Sequence, residues 1–291
     1  MTTDTSSRLR FVRRYPIISF FDLALALGGG TVYLVVQGVI PAGLALVSVL
    51  SASIAGIIMT AATDGRAGLK LMFRRLLIWR VGIGYWLFAI LFLIPAIFLG
   101  SLLNPLFNGD PISFSNIKPS FEILLMFISF IIVAGLGQEL GWTGFLTPRL
   151  QAHFSALTAC IIRAIFGGIW HLPLFFYARL QPPALADFPY GGWIAQKGFL
   201  VAIGAAVLMF LFPWSIFFAW IFNNTRGSLL LVAVLHGSEI LVAYWMLSTG
   251  INPNNLDNYW GYGVVLAVIA IIIVITTGTQ NLSRQRARIV H

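Results

Sequence analysis

The stretch that most limits what this chain can fold into is ILLMFISFIIVAGLG, residues 123–137, which runs straight into GQELGWTGFL, residues 137–146. A run of that length and apolarity belongs in lipid, where every backbone polar group must be paired within its own segment, so it reads as a membrane-spanning helix. Yet Glu139 lies inside it, and a carboxylate at the centre of such a helix costs about 2.5–3.5 kcal/mol on insertion scales. Such a residue marks either chemistry or a packed ion pair, and in both cases a partner has to be found.

The rest of the sequence repeats the pattern. Of 291 residues, 59% are hydrophobic and 9% charged, with a mean hydropathy of +0.91. A soluble domain of this size needs more polar surface than that. The fold class is all-α, a polytopic bundle of about eight transmembrane helices around an intramembrane polar cavity. On a ruler of about 20 apolar residues per crossing, the spans fall near 16–39, 41–61, 83–103, 121–147, 156–178, 198–222, 228–249 and 260–278. Three regions follow: 1–120, with helices 1–3; 121–250, the core that carries the polar residues; and 251–291, the last span and a basic tail. Between spans 2 and 3, DGRAGLKLMFRRLLIWR alternates basic and apolar residues and reads as an amphipathic helix on the membrane surface.

The net charge of +9 is explained by topology and does not imply nucleic acid. With the N-terminus in the cytoplasm, the inner segments carry Arg8, Arg10, Arg13, Arg14, Arg66, Lys70, Arg74, Arg75, Arg80, Arg149, Arg226, Arg284, Arg286 and Arg288. The outer ones carry only Lys118, Arg179 and Lys197. That bias obeys the positive-inside rule and places both termini in the cytoplasm. No removable signal peptide is expected, since the basic N-terminus precedes a full-length span. The lone Cys160 excludes a disulfide framework and reads as a small buried residue. NPLFNGDPISFSNIKPS and QPPALADFPYGGW read as external loops, and the tail NLSRQRARIVH as a headgroup anchor with His291 at its end. His153 reads as a surface residue, and PWSIFFAWIF as facing lipid or core.

The ionisable residues within spans are Asp22, Glu139, Arg163, His171, His236 and Glu239, with Gln138 beside Glu139. Asp22 reads as structural, reaching the headgroups or a neighbouring helix. Glu139 lies roughly 12–14 Å from the cytoplasmic end of its span, at about 1.5 Å per residue, and His236 lies at a similar depth. Glu239 follows His236 by three residues on nearly the same helix face. His171 precedes Pro173, which frees a backbone carbonyl near residue 169. Two histidines and two glutamates from three helices thus point to one shared cavity. Such a set activates water and stabilises an oxyanion. No HExxH spacing supports a metal, and no serine context or aspartate pair competes. Glutamate-driven hydrolysis without a cofactor fits the inventory best.

Three motifs then stand in order on successive helices: GQELGWTGFLTPRLQ, FGGIWHLPLFF and NNTRGSLLLVAVLHGSEI. Across roughly residues 120–245 they resemble the CAAX-type prenyl protease and bacteriocin-processing (ABI) family of intramembrane glutamic endopeptidases. The resemblance implies a metal-independent hydrolase that cleaves a peptide or lipidated protein near the cytoplasmic face of a bacterial- or archaeal-type plasma membrane. It implies that His171 works on the attacking water with the first glutamate of a Glu-Glu-x-x-x-Arg motif. It implies that His236 stabilises the oxyanion with an asparagine four residues on. Trp142 belongs to the same first motif.

The departures fall on these functional positions. Gln138 replaces the first glutamate, Thr143 the arginine and Ile240 the asparagine, and Gly167 stands where an aromatic is expected before His171. An amide is no base at neutral pH. Two compensations are open: Glu139 or Glu239 as base, and Arg163 as the charge partner of Glu139 or simply as a tie in the bundle. Three functions follow: a working peptidase, a catalytically silent relative that binds a peptide or membrane partner, and, more remotely, a proton-coupled transporter. The last lacks internal repeats.

Overall fold

The computed structural model describes residues 10–110, 121–180, 189–248, 252 and 255–284, without the side chains of 174–180, 189–191, 242–243 and 245–248. The expectations for Arg8, Lys118, Arg286, Arg288 and His291, for the side chain of Arg179 and for most of both external loops lie outside the described residues. Within them the chain is all-α. The helices are α1 (Pro16–Val36), α2 (Leu46–Arg74), the pair α3 (Ile83–Leu91) and α4 (Leu93–Leu103), α5 (Phe121–His153), α6 (Ala156–Leu180), α7 (Pro189–Lys197), α8 (Phe199–Asn224), α9 (Leu229–Ser248) and α10 (Trp260–Thr277).

Where eight crossings were expected, six of these helices are long and apolar enough, or seven if the segments Ile83–Leu91 and Leu93–Phe107, bent by 44°, form one broken span. Of the two helices left over, α7 is short, and α9 is apolar over Leu229–Leu241, as far as its side chains are continuously described, with His236 and Glu239 inside that stretch.

Hydrogen bonds sort the helix ends into two sets. At one end, Arg13 donates to the Ala62 carbonyl, Arg149 pairs with Asp64, and Ser228 donates to the Ile78 carbonyl at 2.6 Å. There too the Ala156 amide donates to Gln280, and Asn223 to the Asn281 carbonyl. At the other end, Asn104 donates to the Asn258 carbonyl, and Lys197 pairs with Asp257. Helix α9 starts beside Ile78 and leads to the 255–258 turn, so it runs from the basic end to the opposite one.

Close crossings of small residues hold the bundle together, as expected where lipid offers no hydrophobic drive between helices. A Cβ on Gly56 would sit 2.6 Å from the Cα of Gly141, which ties α2 to the centre of α5. A Cβ on Gly237 would sit 2.6 Å from Ile131, and Gly135 faces the Ala233 carbonyl, tying α9 to the same helix. Helix α2 breaks at Gly65, whose φ of 65° lies in the left-handed region, and the basic stretch beyond it turns away from the span. One basic residue departs from the expected headgroup-facing role: Arg75 is buried, its guanidinium 5.1 Å from the centre of the Phe222 ring.

Candidate active site

Helix α5 is not uniform. Two π-helical stretches, Ile131–Leu136 and Leu140–Leu146, flank a single α turn, Gly137–Glu139. Widened turns of this kind leave carbonyls without regular partners and often accompany functional sites. Here Ser53 of α2 donates to the Leu136 carbonyl at 2.7 Å, and Thr147 to the Trp142 carbonyl at 2.8 Å. The glycines of the motif let α2 close on one side of this segment, while Glu139 points the other way into the bundle.

Glu139 is 1% exposed, and both its oxygens are occupied. Arg163 of α6 donates from Nη2 to Oε1 at 2.9 Å and to Oε2 at 3.0 Å. His236 of α9 meets Oε1 through Nδ1 at 2.9 Å. Thr143, one turn after Glu139, donates its hydroxyl to Oε2 and accepts from Arg163 Nη1 at 2.8 Å. An ionised carboxylate only accepts, so His236 Nδ1 must carry the proton, and Nε2 takes no part in that contact. The imidazole is stacked on Phe218 of α8, ring centres 5.3 Å apart, and the Arg163 guanidinium sits 4.8 Å from the same ring centre.

His171 is held differently. Its Nδ1 lies 2.7 Å from the Gly167 carbonyl, one turn back on α6, which again puts the hydrogen on Nδ1 and leaves Nε2 outside that bond. It lies within electrostatic range of His236. Trp170 beside it is anchored by a 2.9 Å hydrogen bond from its indole to Ser51. Trp142 is buried and packs edge-on against Trp170 and Phe20, with centres 5.9 and 5.6 Å away, so it wedges α5 against α6 and α1. Gln138 is half-buried and makes no hydrogen bond among the described residues. Glu239 is half-buried too, one turn beyond His236, within electrostatic range of His236, Glu139 and Arg163. Asp22 is exposed on α1 without a partner among the described residues, and His153 is exposed. Cys160 is buried, its thiol 3.2 Å from the Ser215 carbonyl.

The structure thus brings Glu139, Arg163 and His236 into direct contact, with His171 and Glu239 nearby and Gln138 on the flank. Two contributors were not anticipated. Thr143 reads in sequence as the loss of an arginine, yet it bridges Glu139 and the arginine of the next helix. Phe218 lies in the stretch PWSIFFAWIF, and its ring packs against both the Arg163 guanidinium and the His236 imidazole. The i, i+4 spacing of Glu139 and Thr143 was the available signal for the first; nothing in the sequence singles out the second. Among the described residues, no three His, Cys, Asp or Glu side chains gather as a metal-binding set.

A membrane-embedded helix bundle with an ion-paired carboxylate–imidazole centre is therefore the class of protein that the fold and site define. Residues 120–242, which hold the whole centre, match the family model of the type II CAAX prenyl endopeptidase Rce1-like proteins. A protein named CAAX prenyl protease 2 from Methanococcus maripaludis is 27% identical over 147 residues, 50% of this chain and 50% of that protein. The chain thus aligns with about half the length of that relative. The three-motif stretch is thus similar to the Rce1-like proteins, in line with the resemblance of its motifs.

Proposed function

We propose that this protein is an intramembrane peptidase of the CAAX-protease type, hydrolysing a peptide bond of a peptide or lipidated protein near the cytoplasmic membrane face. The observation that supports this reading best is the 2.9 Å contact between His236 Nδ1 and a Glu139 carboxylate that Arg163 already neutralises. Glu139 is then an orienting anion and not the base, because all its favourable acceptor directions are taken. It fixes the ring of His236, whose imidazolium form would donate through Nε2–H to the oxyanion of the tetrahedral intermediate. His171, with a bare Nε2, accepts from the attacking water and holds it in place. Trp142 and Thr143 keep these groups in register, and residues 121–250 form the working unit.

A second reading rests on Gln138: with an amide where the family pattern has a carboxylate, the same centre serves a silent relative that binds a peptide or membrane partner. Purified full-length protein in liposomes, offered a peptide library and farnesylated and unmodified CAAX peptides, separates the two. Cleavage by the wild type that disappears in Glu139→Ala and His236→Ala supports the peptidase. Cleavage seen only in Gln138→Glu would overturn it in favour of the silent scaffold.

A further inference from the structure

Within the peptidase reading, one role is unfilled: His171 holds the water, and no carboxylate named so far takes its proton. Gln138 is an amide, Glu139 is saturated by Arg163, Thr143 and His236, and His236 spends its Nδ1 on Glu139. One carboxylate in the described bundle interior is uncommitted. Glu239 projects from α9 three residues after His236, on nearly the same face, is half-buried, and makes no hydrogen bond or ion pair among the described residues. We infer that Glu239 is the general base of this site, and that this rests on the peptidase reading just given.

Charge balance leads to the same residue. Arg163 and Glu139 cancel, so an imidazolium at His236 leaves one positive charge in a medium that penalises it. Glu239 is positioned to neutralise it. The charged and titratable groups within electrostatic range of Glu239 are His236, Glu139, Arg163 and, from α10, Tyr262. Two states of this set are neutral overall: His236 imidazolium with Glu239 carboxylate, and neutral imidazole with neutral carboxyl. The first is the reactive one. In it, Glu239 takes one proton of the water as the water oxygen bonds to the peptide carbonyl carbon, and the carbonyl electron pair moves onto oxygen beside His236 Nε2–H. The carbonyl then re-forms, the C–N bond breaks, and the Glu239 carboxyl gives its proton to the departing amine.

The test uses the full chain in liposomes with whichever peptide the wild type cleaves. Glu239→Gln, nearly isosteric, should lower kcat by about 100-fold or more, the range removed with a general base. KM should change little. The fall in wild-type rate at low pH, where Glu239 becomes protonated, should be absent from the residual activity of the variant. Glu239→Asp should keep part of the rate and that acid limb. A hydrophobic carbodiimide, which attacks unpaired carboxyls, should modify Glu239 but not Glu139, abolish cleavage, and be blocked by substrate; this arm holds even if the variants fail to fold. Cleavage by Glu239→Gln within a few-fold of wild type with its acid limb intact would overturn the base role and leave the peptidase standing. Wild-type protein that cleaves nothing would overturn the peptidase reading, and the base role with it.

Discussion

Arg163 and Glu139 are two charges, 7% and 1% exposed, in the interior of a membrane bundle. Removing one partner strands the other, at a cost of about 3–5 kcal/mol, whereas replacing both together is often close to neutral. Arg163→Met is therefore expected to lower the thermal unfolding temperature in detergent sharply, and Glu139→Gln combined with it to recover most of the loss. A double-mutant cycle on unfolding measures this, and additive losses would show that the pair does not interact. Thr143→Val removes a donor to Glu139 and an acceptor for Arg163 together, for about 1–3 kcal/mol. The pairing of Arg163 with Glu139 was one of the alternatives open in the sequence, but the bridge through Thr143 was not foreseen. The resemblance makes Gln138, Thr143 and Ile240 look like losses, because a motif is read along one helix. In three dimensions the arginine enters from α6 at Arg163, an amide stands at Gln138, and on the role inferred above the working carboxylate stands at Glu239. On that proposal the groups are redistributed among helices, an exchange that a linear pattern does not register.

Glycines decide how closely these helices approach, and so whether the site closes. A side chain at Gly141 would collide with the Ala52 carbonyl of α2, in a crossing where Gly56 already touches Gly141. Overpacking of this kind costs about 1–3 kcal/mol or more. Gly141→Val should thus destabilise the protein by at least that amount in a detergent melt, while Gly167→Ala, with nothing within 4 Å of its added Cβ, should be tolerated for folding. Equal behaviour of the two would mean that the α2–α5 crossing is not a tight contact. Element existence was legible from apolar runs, since lipid admits little besides helices. The π-helical stretches around Glu139 were not, because they depend on Ser53 and Thr147 satisfying carbonyls that an α-helix would pair internally. The bend between Leu91 and Leu93 did have a marker, since Pro95 has no N–H to pair the Leu91 carbonyl four residues back.

At the scale of the molecule, the two sets of helix ends make a topological prediction that the count of long apolar helices does not. If the bent pair and α9 cross as the six long helices do, the number of crossings is even and both termini return to one side. The described basic residues concentrate there: Arg10, Arg13, Arg14, Arg66, Lys70, Arg74, Arg80, Arg149, Arg226 and Arg284, against Lys197 at the opposite end. By the positive-inside rule that end is expected to face the cytoplasm. It would hold both termini and, through the α9 start beside Ile78, the side from which His236 is about two turns deep. In a Cys160→Ala background, single cysteines at Ser7→Cys and Ala287→Cys are expected to react with a membrane-impermeant maleimide only after the inner face is exposed. A cysteine at Asn108→Cys, in the turn at the opposite end, should react in intact cells. If Ala287→Cys were labelled from outside while Ser7→Cys was not, the number of crossings would be odd. Helix α9, the one interrupted by His236 and Glu239, would then be the segment that enters and leaves by the same face, and the access route to the site would open on the other side of the membrane.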